Sequence, residues 1–135
     1  MSDLSCVYSD ASFTGKLASV AWFIGPLNFG VETMLATNSN HGELLAALLA
    51  VTKCDEAVEL VTDSMFVVDI ATLPRTADRW VRKARQFPEV AIFRDLVDAR
   101  AIETTWAPGH GYLTPPGLSF CDDLARQTAR QVSRG

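Results

Sequence analysis

The hydrophobic pattern of this chain changes period once, near residue 40, and that change restricts the fold more than any other feature. Before it, apolar residues come in short runs suited to strands. Cys6-Val7-Tyr8-Ser9 leads into Asp10-Ala11-Ser12, and the segment 4–13 reads as a strand that ends by presenting a carboxylate, a small residue and a hydroxyl. Thr14-Gly15-Lys16 turns the chain into a second strand over 17–24, and Gly25-Pro26-Leu27-Asn28 turns it into a third over 29–36. In the third, Phe29, Val31, Thr33 and Leu35 alternate with Gly30, Glu32 and Met34, the pattern of a half-covered strand. Short turns between three strands imply an antiparallel meander. After Asn38-Ser39-Asn40 the spacing becomes helical. Over 41–54, Leu44, Leu45, Leu48 and Val51 share one side, with Ala47 and Ala50 beside them and small enough to pack closely on a sheet.

The rest of the chain alternates strand and helix. The segment 57–62 predicts a short strand and 64–73 a helix stopped by Pro74. Pro88 opens another helix, with Phe93, Leu96 and Val97 as its buried row. A last strand over 102–107 ends at Pro108-Gly109, and after a Gly- and Pro-rich loop a helix over 119–132 closes the chain. Right-handed crossovers would set the fourth and fifth strands parallel to the first, with helices covering the sheet. A ligand site then belongs between the first and fourth strands, where the strand order switches direction. A length of 135 residues, 48% of them hydrophobic, fits a single domain over 1–135.

The carboxylates stand out against this frame. Asp10 and Asp63 fall at the ends of strands expected to be neighbours, about 4.8 Å apart. Like charges that close raise a pKa or require a cation. Glu43 lies at the start of the first helix, on the side carrying Ala47 and Ala50, and Asp122 lies near the start of the last helix. Four carboxylates at one end of a sheet would form an oxygen site suited to Mg²⁺ or Mn²⁺. Each also has a purely local reading. Asn40-x-x-Glu43 and Ser119-x-x-Asp122 have the form of capping boxes, and Asp63-Ser64 that of a helix start.

These residues carry a resemblance. The pieces Tyr8-Ser9-Asp10-Ala11-Ser12, Glu43-Leu44-Leu45-Ala46-Ala47, Val61-Thr62-Asp63-Ser64, Trp106-Ala107-Pro108-Gly109-His110-Gly111 and Cys121-Asp122-Asp123-Leu124-Ala125 occur in that order. Together they resemble a type 1 ribonuclease H. The resemblance implies an α/β, ribonuclease H-like fold: a mixed five-stranded sheet with helices on both faces. It implies two Mg²⁺ ions, with Mn²⁺ as a substitute, held by Asp10, Glu43, Asp63 and Asp122, and hydrolysis of the RNA strand of an RNA–DNA hybrid. His110 matches a loop histidine that assists proton transfer or product release, and completes the catalytic set. His41 is read as structural or substrate-facing, not as a ligand. The resemblance also implies contacts to the hybrid from Ala11, Ser12, Asn38, Asn40 and Ser64. Three features depart from the family pattern: Ala11 stands where a glycine is usual, Met65 where a glutamine often reads the hybrid, and the loop between His110 and Asp122 is longer and stiffer.

A net charge of −4 gives no overall attraction to nucleic acid, so any such contact must be local. The basic stretch 75–85 is the candidate. Arg75, Arg79, Arg82, Lys83 and Arg85 surround Trp80, with Asp78 the lone acid among them. Arg79, Trp80, Arg82 and Lys83 read as phosphate and stacking contacts, or else as a solvated helix with Trp80 turned inward. Cys6, Cys54 and Cys121 have no CxxC spacing and read as reduced thiols. With neither a leader peptide nor a membrane-length apolar run, the expectation is a soluble, cytoplasmic, monomeric protein. The alternatives are a nuclease of the same fold acting on DNA, a junction or double-stranded RNA, and a catalytically silent nucleic-acid-binding module.

Overall fold

The computed structural model describes residues 5–56 and 58–134. The strands β1 (Ser5–Thr14), β2 (Leu17–Gly25) and β3 (Asn28–Leu35) form the antiparallel meander. They are followed by α1 (Ser39–Thr52), β4 (Val58–Thr62), α2 (Met65–Thr72), α3 (Asp78–Gln86), α4 (Glu89–Arg100), β5 (Glu103–Trp106) and α5 (Pro116–Arg134). One mixed sheet results, in the order β3-β2-β1-β4-β5, with β4 parallel to β1 and β5 parallel to β4. Leu4 and Ala57, which the sequence puts in strands, lie outside the described residues.

The central strand β1 is covered on both faces, which is why it is nearly continuously apolar up to Asp10. Val7 joins Leu44 of α1 and Leu60 of β4 in the main core, while Tyr8 packs with Ala21, Cys121 and Ala125 under α5. On the first face α1 lies close to the sheet because small residues line it. Ala46, Ala47 and Ala50 are buried with Leu44 and Val51, and Leu45 and Leu48 are only partly covered. A second layer from α2, α3 and α4 closes over α1 through Ile70, Trp80, Phe87, Val90 and Phe93. Full burial of one such large side chain stabilises by roughly 1.5–3 kcal/mol.

Two helix starts differ from the sequence expectation. Asn38, not Asn40, caps α1: its side-chain oxygen accepts from the His41 amide at 2.9 Å, and its carbonyl accepts from the Gly42 amide. Glu43 therefore sits in the second turn and closes no capping box. The last helix begins at Pro116, three residues before the expected start, because proline's fixed φ and missing N–H suit a first helical turn. Ser119 is inside that helix, its amide bonded to the Pro115 carbonyl, and Asp122 lies in the second turn. Neither Ser119 nor Asp122 caps anything.

Gly117 explains how α5 comes so close to β1. A Cβ there would sit 2.4 Å from the Tyr8 ring. Gly117→Ala therefore pits a small gain in helix propensity against a clash in a packed layer. The clash should win, with a net destabilisation of about 1–3 kcal/mol in urea unfolding. Unchanged stability would mean that α5 packs more loosely than described.

Candidate metal centre

The last paired residues of β1 and β4 are Tyr8 and Val61, and Asp10 and Asp63 each lie two positions further on. The two carboxylates thus project where the parallel strands have stopped bonding and the chain of β4 turns away into α2. Ser64 makes that turn. It caps α2 by accepting from the Val67 amide at 3.2 Å, and its own amide donates to Thr62 Oγ1 at 3.1 Å.

Glu43 arrives from above. Its neighbour Gly42 lets α1 touch the sheet: a Cβ on Gly42 would lie 3.1 Å from the Ala18 methyl and 3.6 Å from that of Ala11. One oxygen from each of Asp10, Glu43 and Asp63 falls within 4.8 Å of the others. Asp122, on α5, lies outside this three-residue group but close enough to raise the proton affinity of Asp10, and its Oδ2 accepts from Arg126 at 2.5 Å. The structure thus brings the four sequence-selected acids to one place. Three form the tight group, and the fourth is shared with an arginine one turn along.

This arrangement is costly without a cation. Asp10 is only 4% exposed, and one of its oxygens has a single partner, the Ala11 amide at 2.9 Å. Asp10 Oδ2, Glu43 Oε1 and Asp63 Oδ1 are buried with no hydrogen-bond partner. Burial first, and then the charge of Asp63, push the Asp10 pKa up to about 8. Burial, then Asp10 and Asp63, raise that of Glu43 well above the usual carboxylate range. An all-carboxylate donor set with unpartnered inward oxygens fits a hard divalent cation, and nothing in the group favours a soft metal.

The remaining sequence candidates divide. His110 is exposed on the loop after β5 and makes no hydrogen bond among the described residues. His41 is structural: its Nδ1 accepts from the Thr37 amide at 3.0 Å, so Nε2 carries the proton and donates to Glu89 at 3.1 Å. Its ring stacks on Phe87 at 4.3 Å. Ser12 is partly covered and Asn40 is exposed. Asn38 and Ser64 use their side-chain oxygens as caps, and the Ala11 methyl packs into the core beside α1.

Trp80 is a correction. It is buried, and its indole N–H donates to the Ile70 carbonyl at 2.9 Å, so it cannot stack on a base. Its amphipathic ring is what holds α3 to α2. Arg79 and Lys83 share Asp69, at 2.7 and 3.8 Å, and Arg75 bridges Asp95 and Asp98. Of the basic stretch, Arg82 and Arg85 have no such partner among the described residues.

Sequence reasoning gave two residues at the centre no individual role. Trp106 donates its indole N–H to the Asp63 carbonyl at 2.9 Å. Gly109 packs so tightly on Asp63 that a Cβ would lie 2.0 Å from Oδ2. Both stand in the Trp106–Gly111 piece, but residue type and spacing alone do not show what they touch. The RNase H family model matches residues 2–130, and no curated protein was found to match the chain.

The raised pKa of Asp10 has a thermodynamic consequence. Between its unfolded value near 4 and its folded value of about 8, the metal-free native state holds a proton that the unfolded chain releases. Stability should therefore be full below pH 4 and fall as pH rises towards 8. Asp10→Asn should flatten that slope, and Mg²⁺ should restore the loss at high pH in the parent protein alone. Thermal melts across this range, with EDTA and then with Mg²⁺, check it.

Proposed function

The chain belongs to the RNase H family, and we propose that, as a nuclease of this type, it hydrolyses the RNA strand of RNA–DNA hybrids in a Mg²⁺-dependent reaction. The observation that carries the reading is the group of three carboxylates, Asp10 and Asp63 just past two strand ends and Glu43 on α1, each with one buried oxygen lacking a hydrogen-bond partner among the described residues. An uncompensated group of this kind is expensive in a fold with no use for it.

Asp10, Glu43 and Asp63 would hold one cation, and Asp10 with Asp122 a second. When bound, two such ions about 4 Å apart activate a water and stabilise the leaving oxygen of a phosphodiester. The protein's own part is to fix the four carboxylates, to exclude bulk water beneath them and to carry protons. His110, exposed and one residue beyond Gly109, serves that last role between the site and solvent. Cleavage leaves a 3′-hydroxyl and a 5′-phosphate. Ser12, Asn40 and the free edge of Asn38 lie on elements adjoining the centre and are the proposed contacts to the hybrid, together with Arg82. Mn²⁺ would substitute for Mg²⁺.

One observation favours a second reading of the same centre. Met65, 53% exposed beside Ser64, stands where a glutamine often reads the hybrid, and it offers no such hydrogen-bonding group. DNA, a junction or double-stranded RNA would then be the substrate.

Labelled RNA–DNA, DNA–DNA and RNA–RNA duplexes, a four-way junction, and a DNA duplex with one embedded ribonucleotide separate these readings, each with Mg²⁺, Mn²⁺ or EDTA. The expected result is metal-dependent cutting confined to RNA paired with DNA, abolished by Asp10→Asn with hybrid binding retained. Cutting of another substrate would move the specificity, and an Asp10→Asn effect on stability alone would point to a silent module.

Salt dependence gives an independent check on the basic stretch. If its phosphate contacts come from Arg82 and Arg85 alone, log Kd should change with log salt with a slope near 2 (about 0.9 per contact). Engagement of all five cations would give a slope of about 4 to 5.

A further inference from the structure

Asp63 is held from outside its own element. Thr62 pairs with Trp106 across β4 and β5, and the Ala107 amide donates to the Thr62 carbonyl at 2.9 Å, extending the parallel ladder past the end of β4. Trp106 then donates its indole N–H to the carbonyl of Asp63 itself. Three residues after Trp106, Gly109 presses its Cα against the Asp63 carboxylate, close enough that a Cβ would meet Oδ2 at 2.0 Å, the carboxyl carbon at 2.8 Å and the Asp63 Cβ at 3.1 Å. The opposite oxygen, Oδ1, is the one left buried and unpartnered. Backbone and side chain of a single acid are thus fixed by one short stretch from the far edge of the sheet.

Core filling does not account for Trp106. The residue is 48% exposed and buries only about half of its surface, unlike Trp22 and Trp80, which are both under 9% exposed. What it supplies is one directed hydrogen bond to the main chain of a carboxylate residue. Gly109 likewise has no positive φ to explain it. The space that its missing side chain would fill is occupied by the carboxylate.

From these contacts we infer that Trp106 and Gly109 are positioning residues for the Asp63 carboxylate. The indole fixes the height of the Asp63 backbone, and the glycine sets the carboxylate's rotation, with Oδ2 against Gly109 and Oδ1 left as the buried, unpartnered oxygen. Because His110 directly follows Gly109, the same stretch ties the placement of the loop histidine to that of Asp63. The inference rests on the metal-centre reading above and deepens it.

The test is Mn²⁺ binding to the full chain, counted by electron paramagnetic resonance of free Mn²⁺ near neutral pH, without nucleic acid. The parent should bind and Asp63→Asn should not. A parent that fails to bind removes the centre and this inference with it. Trp106→Phe keeps a ring but loses the N–H and should weaken binding by about tenfold, a typical effect for a group that orients a ligand. Its melting temperature at acid pH should fall by only a few degrees, the cost of one hydrogen bond, and Tyr112→Ala on the exposed loop after β5 should bind like the parent. Gly109→Ala acts on the carboxylate directly and should weaken binding at least as much.

Should either variant fold poorly, the parent still answers. On Mg²⁺ addition, the Trp106 indole N–H resonance should shift while those of Trp22 and Trp80 hold still. An unmoved Trp106 resonance in a parent that binds metal overturns the inference. So does Mn²⁺ affinity within about twofold of the parent in folded Trp106→Phe and Gly109→Ala, a change too small for ligand orientation.

Discussion

The electrostatic strain between Asp10 and Asp63 is the constraint around which the molecule is arranged. Parallel pairing of β1 and β4 ends two residues before each acid, so the two carboxylates emerge side by side with no ladder bonds between them. Water would screen them, but both faces of β1 are already covered, by α1 and by α5. Glu43 adds a third negative group from α1, and the small residues Gly42, Ala46 and Ala47 that bring this helix down onto the sheet also deliver that charge. Tight packing and charge crowding thus have a common cause, and loosening one would relieve the other. The raised proton affinity of Asp10 and Glu43 is how the metal-free fold tolerates the arrangement.

Much of the architecture was legible because each element keeps one period throughout. The run Phe29 to Leu35 does form the edge strand of the meander, but its half-covered reading fails. Phe29, Thr33 and Leu35 are exposed, and only Val31 of that row is partly covered, while Met34 of the other row packs beside Ala18 and Val20. The connection through α1 left β4 few places to pair except beside β1, and the register Tyr8–Val61 follows. Helix starts were less legible. Both Asn38 and Asn40 are competent caps, and the choice between them depends on where Gly42 must touch the sheet, a tertiary fact. The same holds for Pro116. A Pro- and Gly-rich run reads as loop until one sees that Gly117 fits under the Tyr8 ring and lets the helix begin there.

Legibility of the site followed a similar division. Asp10 was visible from the residues alone, since an acid at the end of a central apolar strand needs a reason. Glu43, Asp63 and Asp122 were each ambiguous, because a carboxylate near a helix start is ordinary, and only the resemblance joined them. Trp106 and Gly109 left no individual signal. A hydrogen bond to a main-chain carbonyl depends on no particular residue at the acceptor position, and a glycine at a close approach looks like any loop glycine. Arg126 was equally silent: an arginine four residues after an aspartate on a helix is a common surface pair, here shared with the fourth acid.

The basic stretch shows why charge counting along a sequence misleads. Five cations within eleven residues suggest a field strong enough to hold a phosphate backbone. Folding places Asp69 beneath Arg79 and Lys83, and Asp95 and Asp98 beside Arg75, so most of that field closes on itself within a few ångströms. Trp80 completes the reversal by turning inward to hold α3 onto α2. At the centre itself, among the described residues, the cation in contact with one of the four acids is Arg126, which is shared between Asp122 and Asp123. A polyanion approaching such a surface meets repulsion until cations occupy the centre, so metal and nucleic acid would assist each other's binding. In this chain the divalent ion would supply, besides its chemistry, the positive charge that the basic stretch does not.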